Sequence, residues 1–105
     1  MYSEPITPQN VVCLSRSVDY IELSWDIQIE TDKHGQSDYY IVSMRKFEWM
    51  ENKESRAEKE YIKLVNLEMC SQYCVSVRSV NSAGSSELSE EICCRTLAAS
   101  KDKNT

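Results

Sequence analysis

A chain of 105 residues with 41% hydrophobic and 28% charged side chains has the make-up of one folded domain and not of a disordered segment. Its 12 basic and 17 acidic residues leave a net charge of -5, so no cationic surplus exists to neutralise phosphates, and nucleic acid is set aside as a partner. Apolar runs such as Tyr39-Tyr-Ile-Val42 fall far short of the roughly 20 residues a membrane-spanning helix requires, so no membrane insertion of this segment is expected.

In chain order, residues 1–6 show no periodicity and read as a flexible linker, without the basic start and apolar centre of a secretory signal. Pro8 opens a first strand and suits an edge, because it has no N–H to give a ladder; Val11 and Cys13 share one face. Residues 18–25 form a second strand by period-two alternation, with Ile21, Leu23 and Trp25 facing the core and Glu22 and Ser24 facing solvent. The polar stretch 26–38, which contains His34 and Gly35, reads as a long loop.

Residues 39–45 return as a third strand, and Phe47-Glu-Trp49-Met50 reads as the start of a short edge strand. Residues 51–60 mix charges of both signs around a lone Ala57, as a solvated hairpin tip would. Alternation resumes over 61–67 with Ile62 and Leu64 inward. After Leu67 comes Tyr73, then a strand with Val75, Val77 and Ser79 inward and Cys74, Ser76, Arg78 and Val80 outward. Asn81-Ser-Ala-Gly84 has turn chemistry, with Gly84 free to take positive φ. Residues 88–96 form the last strand. The folded domain is expected over 7–97, with 98–105 as a flexible tail.

Trp25, Tyr40, Leu67, Tyr73, Asn81, Gly84 and Thr96 at these spacings resemble a fibronectin type III domain across most of the chain. The resemblance implies an all-β, seven-stranded immunoglobulin-like β-sandwich with sheets ABE and C′CFG. It implies that Tyr40, Val42 and Met44 point inward while Tyr39, Ile41, Ser43 and Arg45 point outward. In the last strand it places Ile92 and Cys94 inward and Glu91, Cys93 and Arg95 outward. It gives structural roles to Trp25, Leu67, Gly84 and Tyr73, the last as a corner tyrosine whose hydroxyl reaches backbone a few residues upstream.

Two positions depart from the family pattern: Met69 stands where proline is common, and Ser79 where alanine is usual. The loops carry no Arg-Gly-Asp, so the integrin contact of some members is not carried over. Ser85-Ser-Glu-Leu-Ser89 sits where class I cytokine receptors carry Trp-Ser-x-Trp-Ser, with Ser85 and Leu88 in the tryptophan places.

Catalytic and cofactor chemistry finds little footing. Two glycines cannot build a phosphate cradle, and His34 has no Gly-x-Ser-x-Gly partner, so neither enzyme activity nor a cofactor is expected. Cys70 with Cys74, and Cys93 with Cys94, look like ligand pairs that His34 would complete. Strand alternation sends Cys93 and Cys94 to opposite faces, however, and no metal is expected from them.

The 5 cysteines form an odd set. Outward Cys74 and Cys93 lie on neighbouring strands, but a diagonal approach seldom gives bridge geometry. The expectation is therefore buried Cys13 and Cys94 acting as small hydrophobes, with free surface thiols elsewhere. The odd count and the lack of an Asn-x-Ser/Thr acceptor point to an intracellular compartment, and family habit points outside the cell.

The resemblance fixes a scaffold that carries many functions. A candidate partner-binding face comprises Tyr39, Ile41, Arg45, Trp49, Cys74, Arg78 and Val80, with Phe47 and Met50 at its edge. The loops 26–38 and 81–84 are a second recognition candidate, and service as a spacer a third. The functional expectation is a non-enzymatic protein-protein interaction or spacer module within a larger protein, monomeric in isolation. The alternative is the extracellular domain of a cell-surface receptor of cytokine or adhesion type.

Overall fold

The computed structural model describes residues 4–27 and 36–99; His34, Gly35, the first linker residues and the end of the tail lie outside them. Eight strands occur among the described residues: β1 (Gln9–Arg16), β2 (Ile21–Asp26), β3 (Tyr39–Lys46), β4 (Lys53–Ala57), β5 (Tyr61–Leu64), β6 (Gln72–Asn81), β7 (Gly84–Ser85) and β8 (Ile92–Arg95). One antiparallel sheet has the order β1-β2-β5. The other runs β4-β3-β6, with β7 and β8 both paired to the free side of β6. This is the all-β sandwich of two antiparallel sheets, its last strand broken into two pieces.

Alternation explains the core. In β2, Ile21, Leu23 and Trp25 are buried, and β6 contributes Tyr73, Val75, Val77 and Ser79 from the facing sheet. Beside β6 in the same sheet, Tyr40, Val42 and Met44 of β3 also face inward, with the Tyr40 ring edge-on to Trp25 at 5.4 Å across the core. The β3–β6 ladder runs from Tyr39 opposite Val80 to Lys46 opposite Tyr73, and this register sets which side chains face inward across the whole second sheet.

Two expectations are corrected. Phe47 and Glu48 are not the start of an edge strand but a turn, in which the Trp49 N–H donates to the Lys46 carbonyl at 2.9 Å. The charged stretch read as a solvated tip holds the edge strand itself, β4. An edge strand needs ladder partners on one side only, so charge on its open face carries little penalty. Ser55 and Ala57, opposite Val42 and Tyr40, are small enough to pack inward, whereas Glu54 and Arg56 face out.

The last strand is also not continuous over 88–96. Between β7 and β8 the Ser86 and Ser89 N–H groups donate to the carbonyls of Ser79 and Val77, both at 2.8 Å. Their hydroxyls in turn accept the N–H groups of Ser79 and Val77 at 2.9 Å. Two side chains thus do what a regular ladder would do, satisfying β6 backbone while Leu88 bulges into solvent.

The crossing between sheets is held by a cluster of polar contacts. The Glu68 N–H donates to the Tyr73 hydroxyl at 2.8 Å, and the Thr96 hydroxyl donates to the Glu68 carbonyl at 2.6 Å. Leu67 N–H reaches the Asp19 carbonyl at 3.0 Å, and Leu97 N–H the Ser17 carbonyl at 2.9 Å, so the same corner binds both sheets. Lys46, buried at the end of β3, directs its ammonium to Glu48 and Glu68 and lies 5.8 Å from the Tyr73 ring centroid. Those two carboxylates hold the lysine charged, well above its ordinary range.

Two substitutions test this account. Tyr73→Phe leaves the Glu68 N–H without its acceptor and is expected to cost about 1–3 kcal/mol, read as a lower urea midpoint with an unchanged slope. Ser79→Ala should act in the opposite direction. The Ser79 hydroxyl is fully enclosed without a partner among the described residues. Its removal is expected to raise stability by about 1–2 kcal/mol in the same titration; a fall in midpoint would show that the hydroxyl is satisfied.

Candidate protein-binding face

The outward residues of β3, β4, β6 and β8 form a grid fixed by register. Tyr39 lies opposite Val80; Ile41 lies between Arg56 and Arg78; Ser43 lies between Glu54 and Ser76. At the far end, Arg45, Cys74 and Cys93 stand side by side on three adjacent strands. Tyr39, Ile41, Arg78 and Val80 are half-buried, and Arg45 is exposed.

Charge on this face is locally compensated. Arg45 grips Glu91 with two parallel bonds of 2.7 and 2.9 Å, which raise the arginine further and hold the Glu91 carboxyl below its usual range. Arg78 is 3.7 Å from Glu54, and Arg56 pairs with Glu58 while its guanidinium lies 3.8 Å above the Tyr39 ring. Ser43 accepts a bond from the Asn52 amide at 3.1 Å.

Trp49 is not on this grid. It packs against the core side, edge-on to Tyr73 with ring centroids 5.8 Å apart, and carries the Lys53 ammonium 4.6 Å from its own ring. The tight turn at Phe47 swings the chain so that Trp49 closes the end of the core. Phe47 and Met50 project almost fully into solvent.

Cys74 overturns the expectation of free surface thiols, because it is bonded to Cys93. The sequence places these residues near each other on hairpin neighbours but sets diagonal pairing against a bridge, whereas the irregular segment before β8 brings them directly opposite, with Cα atoms 4.0 Å apart. Cys74 is also buried, since a central strand is shielded by its neighbours. Cys13, Cys70 and Cys94 remain thiols. Cys70 is exposed beside the Arg95 guanidinium, and burial, then a bond with Cys13, pushes the Cys94 thiol up to about 12.

Of the sequence-suggested ligand pairs, Cys93 and Cys94 do face opposite ways, one exposed and one buried. The group the fold brings together instead is Cys74, Cys93 and Glu91. An open groove of about 560 Å³ runs between the start of β1 and residues 88–92, but its Asn10 amide is engaged by Asp26 and its Ser89 hydroxyl by β6 backbone. Gly84 closes the turn after β6 with φ of 141°, where the Ala83 N–H donates to the Asn81 side chain at 2.8 Å.

Residues 7–95 match the fibronectin type III domain family. The chain belongs to that family. Solved structures agree on the fold. The third fibronectin III domain of the human KIAA0343 protein superposes with a TM-score of 0.81 at 22% identity, covering 98% of this chain and 90% of that one. The fibronectin type III domain of human fibronectin type III domain containing protein 3 gives 0.79 at 21%, covering 100% and 97%. The FN1–FN3 segment of chicken CNTN1 gives 0.74 at 24%, with 88% of this chain matching 31% of that longer one. No curated protein matches the sequence. No helix among the described residues is long and apolar enough to cross a membrane.

The thiol assignment is directly measurable. Alkylation of this fibronectin type III domain without reductant is expected to label Cys70 in the folded state, to add Cys13 and Cys94 on unfolding, and never to reach Cys74 or Cys93. Reduction of the bridge, which spans a sequence separation of 19, should lower stability by about 3 kcal/mol.

Proposed function

We propose that this fibronectin type III domain is a non-enzymatic module that presents the outer face of β4-β3-β6 to another protein. The observation that carries this reading is the central strip of Tyr39, Ile41 and Val80, half-exposed on a sheet face the other sheet does not cover and flanked by Arg56 and Arg78. Aromatic and arginine side chains beside apolar ones are the composition favoured at interface centres, where rigid rings and planar cations bind at modest entropic cost. Family membership agrees, since such domains commonly serve interaction or spacing within longer chains.

A second reading, the extracellular domain of a cell-surface receptor, is favoured by the Cys74–Cys93 bridge, because disulfides persist chiefly in oxidising compartments. The two readings are compatible, since one concerns the face and the other its location.

Ile41→Glu tests the face. A carboxylate there stands between Arg56 and Arg78, so the domain should stay folded with a melting temperature close to the parent's. Captured partners should be lost from a cell extract, whereas Leu14→Glu, on β1 of the opposite sheet, should leave capture intact. Equal capture by both variants would reject the face and leave the spacer role.

A further inference from the structure

The end of the outer face carries three metal-competent groups that no part of the interaction reading uses. The sulfurs of Cys74 and Cys93 and a carboxylate oxygen of Glu91 all lie within 4.8 Å of one another. Cys74 and Cys93 are opposite residues of the β6–β8 ladder, and Glu91, in the segment just before β8, brings its carboxylate to the same place. Arg45, the neighbour of Cys74 on the other flank, holds the Glu91 carboxylate in place with its two parallel bonds.

We propose that, with the disulfide reduced, Cys74, Cys93 and Glu91 form a binding site for a zinc-class divalent cation. Bridge and metal are then alternative ways of cross-linking β6 to β8. The conversion consumes two thiol equivalents of a cellular monothiol or dithiol reductant. The S–S bond breaks, each sulfur gains one electron and one proton, and the reductant leaves as its own disulfide. Metal entry then displaces the two sulfhydryl protons to solvent.

The geometry suits the ion. Two thiolates on a tetrahedral zinc stand ~3.8 Å apart at bond lengths of about 2.3 Å. Facing residues on adjacent strands reach such a separation by rotating side chains, without movement of the backbone. The carboxylate supplies an oxygen as third ligand, and the exposed outer side leaves the fourth position to water.

Charge suits it as well. Two thiolates and a carboxylate carry three negative charges, which the divalent ion and the Arg45 guanidinium balance. Each carboxylate oxygen has a second lone pair beyond the one Arg45 occupies, so the arginine orients the ligand while the metal binds it. Thiolate ligation selects a borderline-soft ion such as zinc over magnesium or calcium. This set is distinct from the adjacent pair Cys93 and Cys94, which strand alternation keeps apart.

Cobalt(II) titration of the chain reduced with a phosphine tests the proposal. The expected result is one equivalent of cobalt bound with thiolate charge-transfer bands and the intense visible bands of a tetrahedral site, displaced by zinc. The oxidised chain, identical in sequence, should show neither. Cys74→Ser and Cys93→Ser should each abolish the thiolate pair, and Glu91→Gln should weaken binding by at least about tenfold, the lower end of what loss of even an indirect metal partner costs. Cys70→Ser and Cys13→Ser should leave the spectrum unchanged. Absence of cobalt binding to the reduced chain, folded or not, would overturn the proposal. So would equal binding by the oxidised chain, loss of the spectrum in Cys70→Ser, or full affinity in Glu91→Gln.

Discussion

The hydrogen bond from the Glu68 N–H to the Tyr73 hydroxyl is the point on which this sandwich turns. It lies where the chain leaves one sheet and enters the other, and it fixes the first residue of β6 that faces the core. From there strict alternation assigns everything on the longest strand: Val75, Val77 and Ser79 inward, and Cys74, Arg78 and Val80 outward. A slip of one residue would exchange those sets, burying Arg78 and exposing two valines, which the core could not tolerate. The contacts gathered at the corner, from Asp19, Thr96 and Lys46, therefore protect a register and not merely a loop.

Much of the frame is legible in the sequence because its constraints are local. Ile21, Leu23 and Trp25 alternate with polar residues and are buried, and the Leu67-to-Tyr73 spacing announces the corner. What escapes is governed by longer-range geometry. β4 looks like a solvated tip because an edge strand is judged by its backbone partners, while the charged Lys53, Glu54 and Arg56 dominate its composition. The bridge escapes because the pairing of Cys74 with Cys93 depends on how many residues the kinked segment after β7 consumes, a count that alternation within either strand does not reveal. Trp49 escapes because one tight turn moves it from the outer face to the end of the core. For the candidate face, facing directions on β3 and β6 were readable; the pairing partners of each arginine were not.

Three partly exposed aromatic rings each lie beneath a cation, whereas Phe47 projects into solvent. Tyr39 lies under Arg56, Tyr20 under Lys63 at 4.2 Å, and Trp49 under Lys53, while the Tyr61 hydroxyl donates to Glu22. Each cation covers a flat apolar ring with a solvated charge, while the Tyr61 contact satisfies its hydroxyl.

The position of the covalent link in the last strand has a mechanical consequence. A pull applied to the chain beyond Leu97 first loads the bonds of Leu97 to Cys70 and Ser17, then that of Thr96 to Ser71, and then the end of β8. With sulfur joined to sulfur, unzipping can release Arg95 and Cys94 but halts at Cys93, where force passes directly into β6, the most fully paired strand of the sheet. Tension that would peel a hydrogen-bonded edge one rung at a time must instead shear the central ladder of β6 against β3. The domain then yields as a single stiff unit or holds, so its extensibility is set by whether that one link is closed.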